Sequence, residues 1–208
     1  QVPGQIALWC AAHGARLLHI STDLVFGSIS PPATGFTEAS PPQPLSLYGR
    51  TKLSGEQAVL DAHPGALVVR LPLLYGNSGG RGLGASDSLL EAIERGEKPG
   101  LFHDEFRTPL EVSNAAQALI ELQAGATTGL LHLAGPERIS RFELGLAVLD
   151  AMGLEHGDAQ DSVHSCTRAD QPGHEQRPAD ASLDSSLARG SLQTPLLDIA
   201  GGLAQTMR

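Results

Sequence analysis

Two short apolar runs constrain the fold of this chain more than any other feature: Arg16-Leu17-Leu18-His19-Ile20-Ser21 and Ala66-Leu67-Val68-Val69-Arg70-Leu71. Neither alternates polar with apolar residues, so neither suits a strand with one solvated face. Runs this continuous fit strands covered on both sides, as in parallel sheets. Between them, a helical stretch from about Leu45 to Ala62 ends at His63-Pro64-Gly65. Strand, helix and strand joined by short turns predict an α/β fold with a parallel sheet.

The remaining segments extend this pattern. Ile6, Leu8, Trp9 and Ala12 form a short apolar helix after Pro3, closed by Gly14. From Asp23 to Pro44 the chain reads as loop, with five prolines. Helices are expected from about Ser86 to Arg95, from an N-cap at Ser113 to Ala124, and from the capping-box spacing Ser140/Glu143 to Met152. Arg107 to Val112 looks extended, and Gly129 to Leu133 reads as a further strand. Residues 154–182 read as irregular, and Thr194-Pro195 as the start of a last helix to Gln205. A chain of 208 residues can bury a real core, as one domain or one domain with a small second lobe.

The 14 basic residues against 23 acidic ones give a net charge of −9 with no basic run. That argues against a broad nucleic-acid or anionic-membrane footprint. No stretch approaches the roughly 18 apolar residues of a membrane span. Two cysteines, Cys10 and Cys166, are too few and too far apart for a disulfide framework, and a reducing, cytoplasmic setting fits best. His164, Cys166 and His174 match no common metal spacing, so no metal site is expected.

The chemistry-bearing candidates cluster in the first third of the chain. Tyr48 and Lys52, four apart, share one helical face with Cβ atoms roughly 5–6 Å apart. An ammonium beside a phenol favours the phenolate, which suits a tyrosine to proton transfer. Ser21-Thr22-Asp23 arrives at the carboxyl end of a strand, where open α/β sheets place ligands. A hydroxyl there can hydrogen-bond a carbonyl. Arg107 and Arg177 suit phosphate oxygens. Gly76, Gly79 and Gly82 match GxxGxxG between a strand and a helix, but the turn is overloaded with glycine and the helix after it opens with polar residues, so this glycine stretch reads better as a mobile loop beside a substrate cleft than as a dinucleotide turn.

A strand-end Thr, a Pro-rich loop of about 25 residues and a YxxxK helix together resemble the short-chain dehydrogenases/reductases. His19-Ile20-Ser21-Thr22-Asp23-Leu24-Val25-Phe26, the stretch Pro44 to Glu56, and Val69 to Gly76 are similar to the extended, nucleotide-sugar branch of that family. Phe106-Arg107-Thr108-Pro109, His132 to Pro136 and Arg177 to Asp184 continue the likeness, which is nearest to the dTDP-4-dehydrorhamnose reductase-like group. Departures from its pattern fall at Leu24, Gly27 and Leu73, and Arg70 to Gly76 is similar to the regulatory β subunit of methionine adenosyltransferase.

The resemblance implies the carboxyl-terminal part of a Rossmann-type doubly wound parallel sheet with a small substrate-binding lobe. Residues 1–76 and 107–135 would form a partial NAD(P)-binding domain, with 77–106 and 136–208 as the lobe. The family's glycine turn precedes the Tyr/Lys helix, so it is expected upstream of Gln1. The implied reaction is reduction of a 4-keto nucleotide sugar by NADPH or NADH. Thr22, Tyr48 and Lys52 would be catalytic. Ser21, Tyr48, Lys52, Arg70 and Pro72 would contact the cofactor; Asp23, Leu73, Arg107 and Arg177 would contact the substrate. The expected partner is a nucleotide sugar, with no nucleic acid or membrane and with a homodimer as one permitted assembly. The alternative is a non-catalytic homologue that serves as a binding or regulatory subunit.

Overall fold

The computed structural model describes residues 2–79, 84–154 and 156–206. In chain order its elements begin with α1 (Val2–Ala12), β1 (Leu18–Thr22), a 3-10 turn at Asp23–Val25, α2 (Leu47–Ala62), β2 (Leu67–Leu71) and β3 (Leu74–Tyr75). There follow α3 (Ala85–Glu94), β4 (Gly100–Phe102), β5 (Phe106–Arg107), β6 (Leu110–Glu111), α4 (Val112–Ala124) and β7 (Gly129–His132). The chain continues through β8 (Ile139–Ser140), α5 (Arg141–Ala151), α6 (His156–Ser162), β9 (His164–Cys166), α7 (Ser186–Ser191) and α8 (Ile199–Thr206).

The two apolar runs form the adjacent strands β1 and β2, and β7 joins on the far side of β2, all parallel in the order β1-β2-β7. Every residue of β2 is buried, because both faces are covered. Leu67, Val69 and Leu71 pack with Ala115, Ala118 and Leu122 of α4. Ala66 and Val68 pack on the other face with Val59 of α2 and Ala7 of α1. Small residues let α1 lie close to α2: a Cβ at Gly4 would sit 3.1 Å from that of Ala58. A separate core gathers Tyr75, Leu89, Leu144, Leu149, Ile199 and Leu203 among α3, α5 and α8. No helix among the described residues is long and apolar enough to cross a membrane.

Three local expectations are corrected. The cap of α4 is Glu111, whose carboxylate accepts from the backbone of Asn114 at 2.7 Å, so the helix starts before Ser113. Residues 154–182 are more ordered than their polarity suggests: they hold α6, β9 and two 3-10 turns, and β9 pairs in parallel with β4. Thr194-Pro195 opens no helix. The hydroxyl and backbone N–H of Thr194 both donate to the Glu121 carboxylate, at 2.6 and 2.9 Å. The last helix begins at Ile199 instead, where Asp198 accepts from the backbone of Gly201 at 2.7 Å.

The proline-rich loop after β1 is pinned rather than loose. Gly27 bridges to Pro44 at its neck, and Phe36 bridges to Leu183. Phe36 stacks on Phe26 with ring centroids 4.1 Å apart. Its backbone N–H donates to Ser182 and its carbonyl accepts from Asp184, both at 2.8 Å.

Candidate functional site

The carboxyl end of β1 and the first turns of α2 form one junction. The Ser46 hydroxyl caps α2 by accepting from Gly49 N–H at 3.0 Å. Gly49 is required there: a Cβ would collide with the Leu24 carbonyl oxygen and lie 2.9 Å from the Pro44 side chain. This close approach sets the start of α2 against the turn that follows Thr22. One turn later, Lys52 Nζ donates to the carbonyl oxygen of Ile20 at 2.6 Å. Tyr48 lies 53% exposed at the outer end of the same face.

Thr22 and Asp23 are both buried. The Thr22 hydroxyl accepts from the backbone of Leu24 at 3.2 Å and donates to Asp23 Oδ1 at 3.0 Å. Burial pushes the Asp23 carboxyl above its ordinary value, against the pull of Arg107. Arg107 Nε lies 3.4 Å from Asp23 Oδ2, within ion-pair range but off hydrogen-bond alignment, so that oxygen makes no hydrogen bond. Arg107 also pairs with Glu105 at 3.3 Å and donates to the carbonyl oxygens of Phe106 and Pro178. Arg177 reaches Glu105 at 3.3 Å with its own side chain 48% exposed.

The sequence-derived residues thus fall into groups. Thr22, Asp23, Arg107 and Arg177 form one chain of contacts around Glu105, and Tyr48 and Lys52 lie on the adjoining helix. Arg107 is buried and its donors are engaged within the protein, so the expectation of a freely presented phosphate contact fits Arg177 better. Ser21 and Arg70 point into the core, where both bond to Glu56. The Arg70 guanidinium is thereby engaged in a buried ion pair. Pro72 is buried, and Leu73 is half-buried, packing against the second core. Of the three glycines in the GxxGxxG pattern, Gly76 has φ 112° and is tied to Ser86. Gly79 turns at φ 71°, and Gly82 lies outside the described residues.

Sequence reasoning missed Glu56, Glu105 and Arg141. Burial lowers the Arg141 guanidinium from its ordinary value, opposed first by Glu105. Glu56 carried a readable signal, since it repeats the four-residue spacing of Tyr48 and Lys52. Glu105 and Arg141 carried none, because they meet the others only through tertiary packing. A groove of ≈ 450 Å³ between α3, α5 and α8 is lined by Gly76 of the GxxGxxG pattern, but by none of the residues expected to be catalytic or to contact cofactor or substrate.

The chain is similar to known proteins over most of its length. The methionine adenosyltransferase 2 subunit beta of Xenopus laevis is 35% identical over 188 residues, covering 87% of this chain and 54% of the relative. The dTDP-4-dehydrorhamnose reductase of Mycolicibacterium smegmatis is 33% identical over 204 residues, covering 94% of this chain and 58% of the relative. The chain therefore spans about half the length of these relatives. The crystal structure of dTDP-4-dehydrorhamnose reductase from Bacillus anthracis, in complex with NADP, superposes with a TM-score of 0.84 at 23% identity. That match covers 99% of this chain and 69% of the other, and it identifies the parallel sheet as Rossmann-like. The family model described as RmlD substrate binding domain matches residues 1–208, and the chain belongs to that family.

Proposed function

We propose that these residues carry the proton-donating half of an NAD(P)H-dependent reductase acting on a 4-keto nucleotide sugar. The observation that carries this reading is the junction at the end of β1, where Lys52 is bonded to Ile20 and the start of α2 abuts Leu24. It brings the Tyr48/Lys52 face to the strand end that bears Thr22.

Residues 1–76 and 107–135 would serve the cofactor side, and 77–106 with 136–208 the substrate side. Lys52 fits a cofactor ribose: one ammonium N–H is used on Ile20, and an ammonium has three to give. NADPH or NADH, when bound, supplies the hydride. Tyr48 would give its phenolic proton to the carbonyl oxygen, and the Lys52 charge would offset the phenolate left behind. The Thr22 hydroxyl would turn from Asp23 Oδ1 toward the same oxygen and steady its growing negative charge. Arg177, half exposed beside Glu105, would meet the diphosphate. The relatives named as dTDP-4-dehydrorhamnose reductases and the NADP in one of them support the substrate class and the cofactor.

The test is NADPH consumption by the natural full-length protein with a dTDP-4-keto-6-deoxy sugar. Tyr48→Phe should lower turnover by about 10²–10⁴ with an unchanged circular dichroism spectrum. Equal turnover in that variant would reject the assignment. The likeness to methionine adenosyltransferase subunits supports a second reading, a binding subunit built on the same fold. Cofactor binding without turnover would favour it.

A further inference from the structure

Glu56 lies four residues beyond Lys52 and eight beyond Tyr48, so the three share one face of α2. Its carboxylate is in the core, with the residue only 3% exposed. Arg70 grips it in a two-point fork, Nε donating to Oε1 at 3.0 Å and Nη2 to Oε2 at 2.7 Å. The Ser21 hydroxyl donates to Oε1 as well.

The fork belongs to a larger row. In strand register Arg70 stands opposite Ser21 of β1 on one side and His132 of β7 on the other. His132 Nδ1 lies 3.0 Å from the Phe36 carbonyl oxygen and must donate to it, which leaves Nε2 to accept from Arg70 Nη1 at 3.3 Å. Burial and the Arg70 charge hold the imidazole neutral, with its pKa lowered to about 4. One polar row therefore crosses all three strands beneath α2 and ends on the proline-rich loop.

A buried ion pair is a weak source of net stability, since apolar replacements of similar volume are often neutral or better. A two-point fork is, however, strongly directional. It fixes both the rotation and the axial position of the helix it holds. Displacing a reacting group by about 1 Å can cost on the order of 10²-fold in rate.

We propose that Glu56 is the positioning residue of this site: its fork with Arg70 sets α2 so that Tyr48 and Lys52 face the Thr22 end of β1. This inference rests on the reductase reading given above.

The experiment compares the natural full-length protein with Glu56→Leu/Arg70→Met, which replaces the pair by apolar side chains, and with Arg70→Lys, which keeps the charge but loses the fork. Steady-state kinetics would use NADPH and NADPH deuterated at the transferred position. The double variant should lose about 10- to 100-fold in kcat with the KM for the nucleotide sugar within about twofold, and Arg70→Lys should fall between it and the parent. The deuterium isotope effect should rise in both, because a misplaced acid makes the chemical step slower. A smaller folded fraction would leave the isotope effect unchanged. Parental kcat and isotope effect in either folded variant would overturn the proposal alone. Absence of turnover in the parent would overturn it together with the reductase reading.

Discussion

His132 is a histidine whose charge the fold does not accommodate. It is fully buried, donates through Nδ1 to Phe36 and faces the Arg70 guanidinium through Nε2. Its folded pKa is lowered to about 4, whereas an unfolded histidine titrates near 6.5. Between those values the unfolded chain binds a proton that the folded chain refuses, so stability is complete above about pH 6.5 and declines as pH falls toward 4. At about 1.4 kcal/mol per pKa unit the loss is on the order of 3 kcal/mol. Urea midpoints at pH 7.5 and 4.5 should therefore diverge more in the parent than in His132→Asn, which keeps a donor near the Nδ1 position. Equal pH dependence in the two would contradict this account. The sequence could not reveal such a role. Tyr48, Lys52 and Thr22 could be singled out as candidates because helix spacing and a strand end are local features. The fates of Arg70 and Arg107 depend on Glu56, Asp23 and Glu105, partners brought close only by the folded chain.

At the scale of elements, α2 is the piece whose placement matters most, and Gly49 governs its approach. A methyl group there would strike the Leu24 carbonyl oxygen and press on Pro44. Alanine gains about 1 kcal/mol in helix propensity over glycine, but overpacking typically costs about 1–3 kcal/mol. The steric effect should prevail: Gly49→Ala should lower the melting temperature by several degrees and reduce turnover further than stability alone explains. A variant as stable and active as the parent would show that α2 can yield without consequence. Elements were readable where their cause was local. The strands β1 and β2 announced themselves by continuous apolar character, and α5 by its Ser140/Glu143 capping box. By contrast, β9 is a three-residue strand that exists because β4 lies alongside it, and the helical signal at Thr194-Pro195 was overridden by Glu121.

Across the whole molecule, the least settled surface is the outer side of β1. Among the described residues β1 pairs only with β2, and Ile20 is 45% exposed along it. A hollow of ≈ 630 Å³ lined by Leu17, Leu18, Ile20, Leu119 and Ile120 flanks that edge. Trp9 of α1 and Ile120 of α4 are likewise exposed, at 59% and 71%. An open strand edge beside apolar side chains is a template for association. The 208-residue chain expressed alone should therefore self-associate with increasing concentration in sedimentation velocity. Ile20→Lys combined with Ile120→Lys should shift it toward monomer. A parent chain that stays monomeric at high concentration would refute the expectation.

The pinning of Phe36 limits how this region can be re-engineered. Its single carbonyl oxygen serves both the His132 imidazole and the Asp184 backbone, so the chain near it has no slack. Residues 29–34, in contrast, are largely solvent-facing and hang outside the pins. Lengthening or grafting within that outer arc would leave the polar row under α2 undisturbed, whereas one residue gained beside Phe36 would move the carbonyl on which the row ends. The loop thus divides into a stretch open to variation and a stretch whose length is fixed by the sheet beneath it.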